Sequence, residues 1–232
     1  MSKALRHSII SPVPSLFTFN IKDNRIKDLL GISVPNATVQ LEDTNLEASG
    51  PLLITHWGMS GPAILKLSAF GARVLAEKNY EYQVQVNWLS RPTHKIVNVL
   101  LNLKKKHSKK QVIVRSPFEE ISKRLWERFV MATTIKTTFN WADVSHEQID
   151  VLANQLTKSV FTAKGKSTFK EEFVTAGGVD LREINFKCFE SKLHNNLFFV
   201  GEVLNIDAVT GGFNFQNAWT GGWLCAKALA SR

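Results

Sequence analysis

The chain has 232 residues, 44% hydrophobic and 21% charged, with a mean hydropathy of −0.08. This is globular composition, long enough to bury a sizeable core, and it excludes disordered and collagen-like chains. No run of about 18 apolar residues occurs, which excludes a transmembrane helix.

The apolar stretch around His7-Ser-Ile-Ile-Ser-Pro12 is too short for a signal peptide. Two cysteines, Cys188 and Cys225, make no disulfide framework and no paired metal-ligand spacing. No metal is expected, and a reducing cytoplasm is the expected compartment. The formal charge is +9 and sits in one stretch: residues 91–136 carry 12 Lys/Arg against 3 Asp/Glu. The flanking parts are near balance, 8 against 7 over residues 1–90 and 9 against 10 over residues 137–232. Clustered positive charge suits a polyanion, because binding releases the counterions condensed on phosphates.

In chain order, Pro14 to Ile21 and Val34 to Leu41 are β-branched and aromatic runs that predict strands, and Leu52 to Thr55 predicts a short apolar one. Ser60-Gly-Pro62 predicts a helix start with Ser60 as N-cap, and the helix is expected over Ala63 to Glu77. From Tyr80 to Leu89 apolar and polar residues alternate, the period of a half-buried strand. Helices are then predicted over Thr93 to Lys106 and Pro117 to Met131. A third is opened by the capping-box spacing of Ser145 and Gln148 and runs to about Leu156. Trp126, Phe129, Phe139 and Trp141 stand at helical spacing, the mark of core positions more than of base-stacking platforms. Strand character returns from Ser159 to Val174.

The last sixty residues carry seven of the thirteen glycines. Thr175-Ala-Gly-Gly-Val179 predicts a turn after a strand, Leu197-Phe-Phe-Val-Gly-Glu202 an apolar strand ending in Gly and an acid, and Ala218 to Leu229 a closing helix. A strand, a Gly-rich turn and a helix N-terminus can together hold the sugar, phosphate or ring oxygens of a cofactor, because the exposed N–H groups and the helix dipole favour negative charge. Taken alone, glycine pairs are most often tight turns.

Two segments narrow the reading. Thr55-His-Trp-Gly-Met-Ser-Gly-Pro62 and Gly201-Glu-Val-Leu-Asn-Ile-Asp-Ala-Val-Thr-Gly-Gly-Phe-Asn-Phe-Gln-Asn-Ala218 resemble the hallmark segments of the BaiN/RdsA-like FAD-dependent oxidoreductases. Pro14-Ser-Leu-Phe17, Ala176-Gly-Gly-Val179 and Glu190-Ser-Lys192 support the match in family order. The resemblance implies an α+β fold: an inserted β-rich, barrel-like domain with a small helical subdomain, plus the C-terminal strand and helix of a Rossmann-like FAD domain. The corresponding division is 1–90 for the first part of the β-rich domain, 91–156 for the basic helical insert, 157–176 for the β-rich return and 177–232 for the FAD-domain segment.

By the same resemblance, FAD reduced by NADH or NADPH delivers hydride to an activated carbon–carbon double bond, in family members on unsaturated steroid-type acids or a uridine of large-subunit ribosomal RNA. Gly201 and Glu202 would lie beside the ribityl or pyrophosphate part of FAD, and Thr210, Gly211, Gly212 and Asn214 beside the isoalloxazine ring. Asn205 joins this cofactor-binding set, and His56 is the candidate catalytic residue. Cys188 offers a thiol as an alternative proton donor. Lys104, Lys105, Lys106, Lys109 and Lys110 are the candidate RNA contacts.

Three departures stand out. No Gly-x-Gly-x-x-Gly strand–turn–helix occurs, so the segment that grips the FAD pyrophosphate is not in this sequence. Asn205 stands where the family has Asp and Phe213 where it has Tyr, and Arg6 stands where the resemblance suggests Gly. The chain therefore reads as a fragment or truncated form of a flavoenzyme. It is expected to retain FAD poorly alone, to be completed by an N-terminal FAD-domain polypeptide or by self-association, and to leave its last thirty or so residues displaced, apolar-exposed or poorly ordered. The alternative is a non-catalytic module that binds RNA or a protein partner without flavin.

Overall fold

Alternating apolar residues close six antiparallel strands into a barrel, and a glycine or a left-handed residue stands at several of its corners. The computed structural model describes residues 2–166 and 174–231. The strand expected over Pro14 to Ile21 is two strands, β1 (Ile9–Ser15) and β2 (Phe19–Ile21). Leu16 breaks it: its φ of 56° turns the chain, and its side chain stays buried. There follow β3 (Ser33–Leu41), β4 (Glu47–Ile54) and β5 (Gly58–Ser60). Ser60 ends β5 and is not a helix cap. Gly61, at φ 92°, is the N-cap of α1 (Pro62–Phe70), which has no side-chain cap and carries Pro62 in its first turn. Gly71 separates α1 from α2 (Ala72–Glu77), dividing the single helix expected there.

β6 (Glu81–Asn87) alternates as expected, with Tyr82, Val84 and Val86 buried. Next come α3 (Thr93–Lys106), α4 (Lys123–Met131) and α5 (His146–Thr157), then β7 (Ser159–Lys166). α4 starts at Lys123, six residues later than the sequence pattern suggested, with Ser122 as its N-cap, whose hydroxyl accepts from the Leu125 amide. Residues 116–121 are instead held by turns, the Ser116 hydroxyl bonding the amide and carbonyl of Phe118. The Ser145–Gln148 capping box forms as expected.

The barrel order is β2-β5-β4-β3-β6-β7, and β7 pairs back onto β2 through Ala163 and Ile21. The closest approach in the wall is at Gly58, where a Cβ would lie 2.2 Å from the Phe19 carbonyl oxygen. Helices α3 to α5 lie between β6 and β7 in the chain and share the barrel's core. Trp88 joins them, its ring 5.3 Å from Phe129 and 5.9 Å from Phe161. Trp126, Phe129 and Trp141 are buried in this core, and Phe139 packs against it.

Outside the barrel, β1 pairs with β8 (Val174–Val179), and β9 (Ile184–Asn185) pairs with β10 (Glu190–Ser191). The Gly177–Gly178 pair lies within β8 and is not a turn. Part of the strand run expected over Ser159 to Val174, residues 167–173, lies outside the described residues. Leu197 to Val200 is extended but makes one bridge, Phe198 to Glu190, so it is not a full strand. α6 (Phe213–Ala230) closes the chain and starts five residues before the expected Ala218.

Among the described residues three buried side-chain atoms lack a hydrogen-bond partner: Asn20 Oδ1, Trp88 Nε1 and the Tyr82 hydroxyl. The Tyr82 hydroxyl is buried without a hydrogen bond, and burial pushes its pKa well above the ordinary phenol value. An orphaned buried hydroxyl costs about 1–3 kcal/mol. Tyr82→Phe, which keeps the ring packed 5.0 Å from Phe19, is expected to raise stability by about 1 kcal/mol. Thermal unfolding reads this as a rise in Tm of a few degrees, and a fall in Tm would contradict it.

Candidate functional site

The C-terminal segment is built around a second, small core of Val179, Ile184, Phe189, Phe199, Leu204 and Cys225. Its attachment to the rest of the molecule begins at β8. A Cβ on Gly177 would lie 2.7 Å from the Pro12 Cα, and one on Gly178 would lie 2.4 Å from the Val203 carbonyl oxygen. The glycine pair thus lets β1 and the 203–205 backbone both close on β8. The Asn205 amide donates to the Val179 carbonyl at 3.0 Å, and Arg73 of α2 donates to the Asn205 side chain at 2.9 Å.

A buried histidine ties the N-terminal segment to the same unit. His7 Nδ1 lies 2.7 Å from Glu183 and Nε2 lies 3.1 Å from the Ser191 hydroxyl. Ser191 Oγ already accepts the Leu193 and His194 amides, so its own hydrogen goes to His7 Nε2, and His7 donates from Nδ1 to Glu183. Arg6, which stands where the resemblance suggested Gly, has a φ of 62°, the left-handed region glycine enters without cost.

Beside this unit lies an apolar cleft of about 380 Å³, lined by Leu16, Val174, Phe215 and Ala218 together with the 209–212 loop. Gly212, at φ 83°, is the left-handed N-cap of α6, and no side chain caps the helix. The Asn214 amide group staples the loop, accepting from the Ala208 N–H and donating to the Ala208 carbonyl, both at 2.9 Å. First-turn N–H groups of α6 are therefore presented at the cleft without a protein side-chain acceptor.

Of the cofactor residues expected from the sequence, Glu202, Thr210, Gly211, Gly212 and Asn214 line this cleft. Gly201 stands behind its wall, where a Cβ would meet Ala218 at 3.8 Å. Asn205 is turned to Arg73 instead. His56 is elsewhere, exposed in a second cleft with Trp57, Lys22 and Lys27. Cys188 sits in the turn between β9 and β10 and lines neither cleft. Leu16, Val174 and Phe215 were missed, although starting α6 at Gly212 would have put 214, 215 and 218 on one helical face.

Among the basic residues, Lys105, Lys106, Lys109 and Lys110 are exposed. Lys104 is committed otherwise, its ammonium donating to the Ala142 and Val144 carbonyls. α6 is a formed helix that buries Gly221 and Cys225 and exposes Phe213, Phe215, Trp219 (71%) and Trp223. Of the outcomes expected for this segment, an exposed apolar face is present.

A closed barrel with a helical domain, carrying a glycine-started helix beside an apolar cleft, defines the class. Residues 13–174 match the model of the HI0933-like protein barrel and H2TH domain, and the chain belongs to that family. It is 30% identical to a ribosomal RNA dihydrouridine synthase of Haemophilus influenzae over 96% of this chain and 53% of the relative. It is also 30% identical to the Escherichia coli protein of the same name, over 87% of this chain and 47% of the relative. A 3-dehydro-bile acid delta(4,6)-reductase of Clostridium scindens is 25% identical over the whole chain and 57% of its own length. The chain spans about half the length of these curated relatives. The resemblance to BaiN/RdsA-like proteins is borne out by these matches. Among the described residues no helix is long and apolar enough to cross a membrane.

Two carboxylates of this unit are held ionised by their partners. Arg182 holds the Asp180 carboxyl down at about 2, and Ser8 followed by His7 holds that of Glu183 below its ordinary value. A lowered carboxylate pKa contributes stability that is present above the unfolded value and lost as pH falls through the folded one. Amide protection factors over residues 180–206, taken relative to the intrinsic exchange rate at each pH, are therefore expected to fall between about pH 4.5 and pH 2, ahead of those of the barrel strands. Protection that fades first in the barrel would contradict this.

Proposed function

We propose that this chain provides the barrel, the basic helical domain and one wall of the flavin site of a reductase that adds hydrogen across an activated carbon–carbon double bond, with a ribosomal RNA uridine as substrate. The reading divides the chain at 1–90 and 157–176 for the barrel domain, 91–156 for the basic insert and 177–232 for the flavin wall, and sets it in the cytoplasm.

The residues present fit the ring end of FAD. At Gly212 nothing lies within 4 Å of where a Cβ would be, so a flat ring can approach the backbone there. The uncapped N–H groups of α6 suit the pyrimidine oxygens of that ring. When bound, a flavin supplies the hydride, with NADH or NADPH as its reductant. Thr210, Gly211 and Gly212 would hold the ring through their backbone, Asn214 keeps that loop in place, and the apolar walls exclude water. The pyrophosphate cradle would come from a dinucleotide-binding domain covering the aromatic face of α6.

RNA is favoured over a steroid-type acid by one observation: the excess positive charge of residues 91–136 ends in exposed Lys105, Lys106, Lys109 and Lys110. Two relatives are named for action on ribosomal RNA. Replacing these four lysines by glutamine is expected to weaken binding of a ribosomal RNA hairpin at least tenfold. The slope of log affinity against log salt should fall by about 0.9 for each lost phosphate contact. Fluorescence anisotropy across a salt series reads both, and unchanged affinity and slope would remove the RNA reading.

A further inference from the structure

We propose that a polar groove on the outer face of the barrel hydrogen-bonds the ribose 2′-hydroxyls of a bound RNA strand and so selects RNA over DNA. This rests on the RNA reading above and names the sugar as the group recognised. The groove, of about 440 Å³, lies where β3, β4 and β6 meet the start of α3 and the end of α5. Its floor follows from strand register. Gln40 of β3 stands between Glu47 of β4 and Gln85 of β6, and two residues along Thr38 stands between Ser49 and Asn87. Neighbouring strands lie about 4.8 Å apart, so each row sets three polar residues side by side over about 10 Å. The intervening Val39, Ala48, Val84 and Val86 are buried in the core, which turns both rows to solvent.

The two rows differ in what they leave free. The Thr38 hydroxyl bonds those of Ser49 and Ser90, and the Asn87 amide group bonds the backbone of Leu89 and Arg91. In the other row Gln40 reaches the Thr44 carbonyl at 3.4 Å, whereas the Glu47 and Gln85 side chains make no hydrogen bond or ion pair among the described residues. The Glu47 carboxylate can accept from a sugar hydroxyl, and the Gln85 amide can both donate and accept. On the opposite rim Arg91 is held by Glu120, but Lys158 is exposed and in no ion pair among the described residues. α3 carries no acidic residue, and its exposed positions include His94, Lys95, Asn98, Asn102, Lys105 and Lys106. From His94 to Lys106 is about 18 Å along the helix axis. This stripe leads from the groove to the lysine cluster, so a strand held there by its phosphates brings its sugars to the free row. An acidic peptide would meet the same lysines, but Glu47 repels its carboxylates and it offers no sugar hydroxyl.

The test compares labelled single-stranded probes on the full chain at fixed salt: an oligouridylate of eight nucleotides, the oligodeoxyuridylate of the same length, and an oligoglutamate peptide. The wild type is expected to bind the ribose probe about fivefold more tightly than the deoxyribose one. Glu47→Ala and Gln85→Ala should each remove most of that preference by weakening the ribose probe. Both should leave the deoxyribose probe within about twofold, which also shows that the variants are folded. Electrostatics alone gives the opposite result for Glu47→Ala: losing a carboxylate would tighten both nucleic acids, and that outcome would overturn the proposal. Lys158→Gln should weaken both nucleic acids and keep their ratio. If the wild type binds both equally and the four-lysine variant loses both, sugar selection fails and the RNA reading stands. Oligoglutamate bound as tightly as the ribose probe would overturn the proposal in favour of an acidic peptide. A wild-type protein that binds neither nucleic acid would overturn both readings.

Discussion

The β1–β8 ladder is the constraint on which the rest of the architecture depends. The barrel and its helices form one core, the C-terminal unit forms another, and this ladder joins the two. Its join works only without side chains at Gly177 and Gly178, since β1 approaches one and the 203–205 backbone the other within distances no Cβ tolerates. Everything downstream inherits its position from that contact: the Val179–Asn205 hydrogen bond, the 209–212 loop and the start of α6. The apolar cleft lies at this junction, with Leu16 and Val174 from the ladder side and Phe215 from the helix.

Electrostatics divides the molecule in a complementary way. In the C-terminal unit two carboxylates are paired internally, Asp180 with Arg182 and Glu183 with His7 and the Ser8 amide. On the helical domain several charges are not, and the exposed lysines after α3 face solvent. Lys104 shows how the same run serves two ends. One ammonium satisfies carbonyls at a helical turn, and its neighbours stay available to a polyanion.

Much of the fold was legible in the sequence, and the failures have specific causes. The alternation of β6 and the amphipathic stripe of α3 carry their own period, and the Ser145 capping box states its own start. Pro14 to Ile21 read as one strand because a β-rich run gives no sign that Leu16 turns left-handed. Ser60 read as a cap because cap chemistry and strand ends share residue types, and Gly61 took the role through backbone conformation alone. The glycine pair at 177–178 read as a turn, whereas close packing of three backbone segments demands the same residues. For the site, the resemblance grouped Glu202 with the 210–214 loop, and the structure lines one cleft with both. The same resemblance put His56 near the flavin, and the structure sets it in a separate cleft with Ile21 and Lys22.

The measurement that bears most directly on the central claim is a titration of FAD against the protein, read as a flavin difference spectrum, with Gly212→Val run in parallel. The account predicts a perturbed flavin spectrum with the wild-type chain that the variant abolishes, because a branched side chain both strains the left-handed cap and fills the open face beside it. A flavin spectrum indifferent to the protein, or one perturbed equally by the variant, would contradict the assignment of this loop and helix start as a flavin wall.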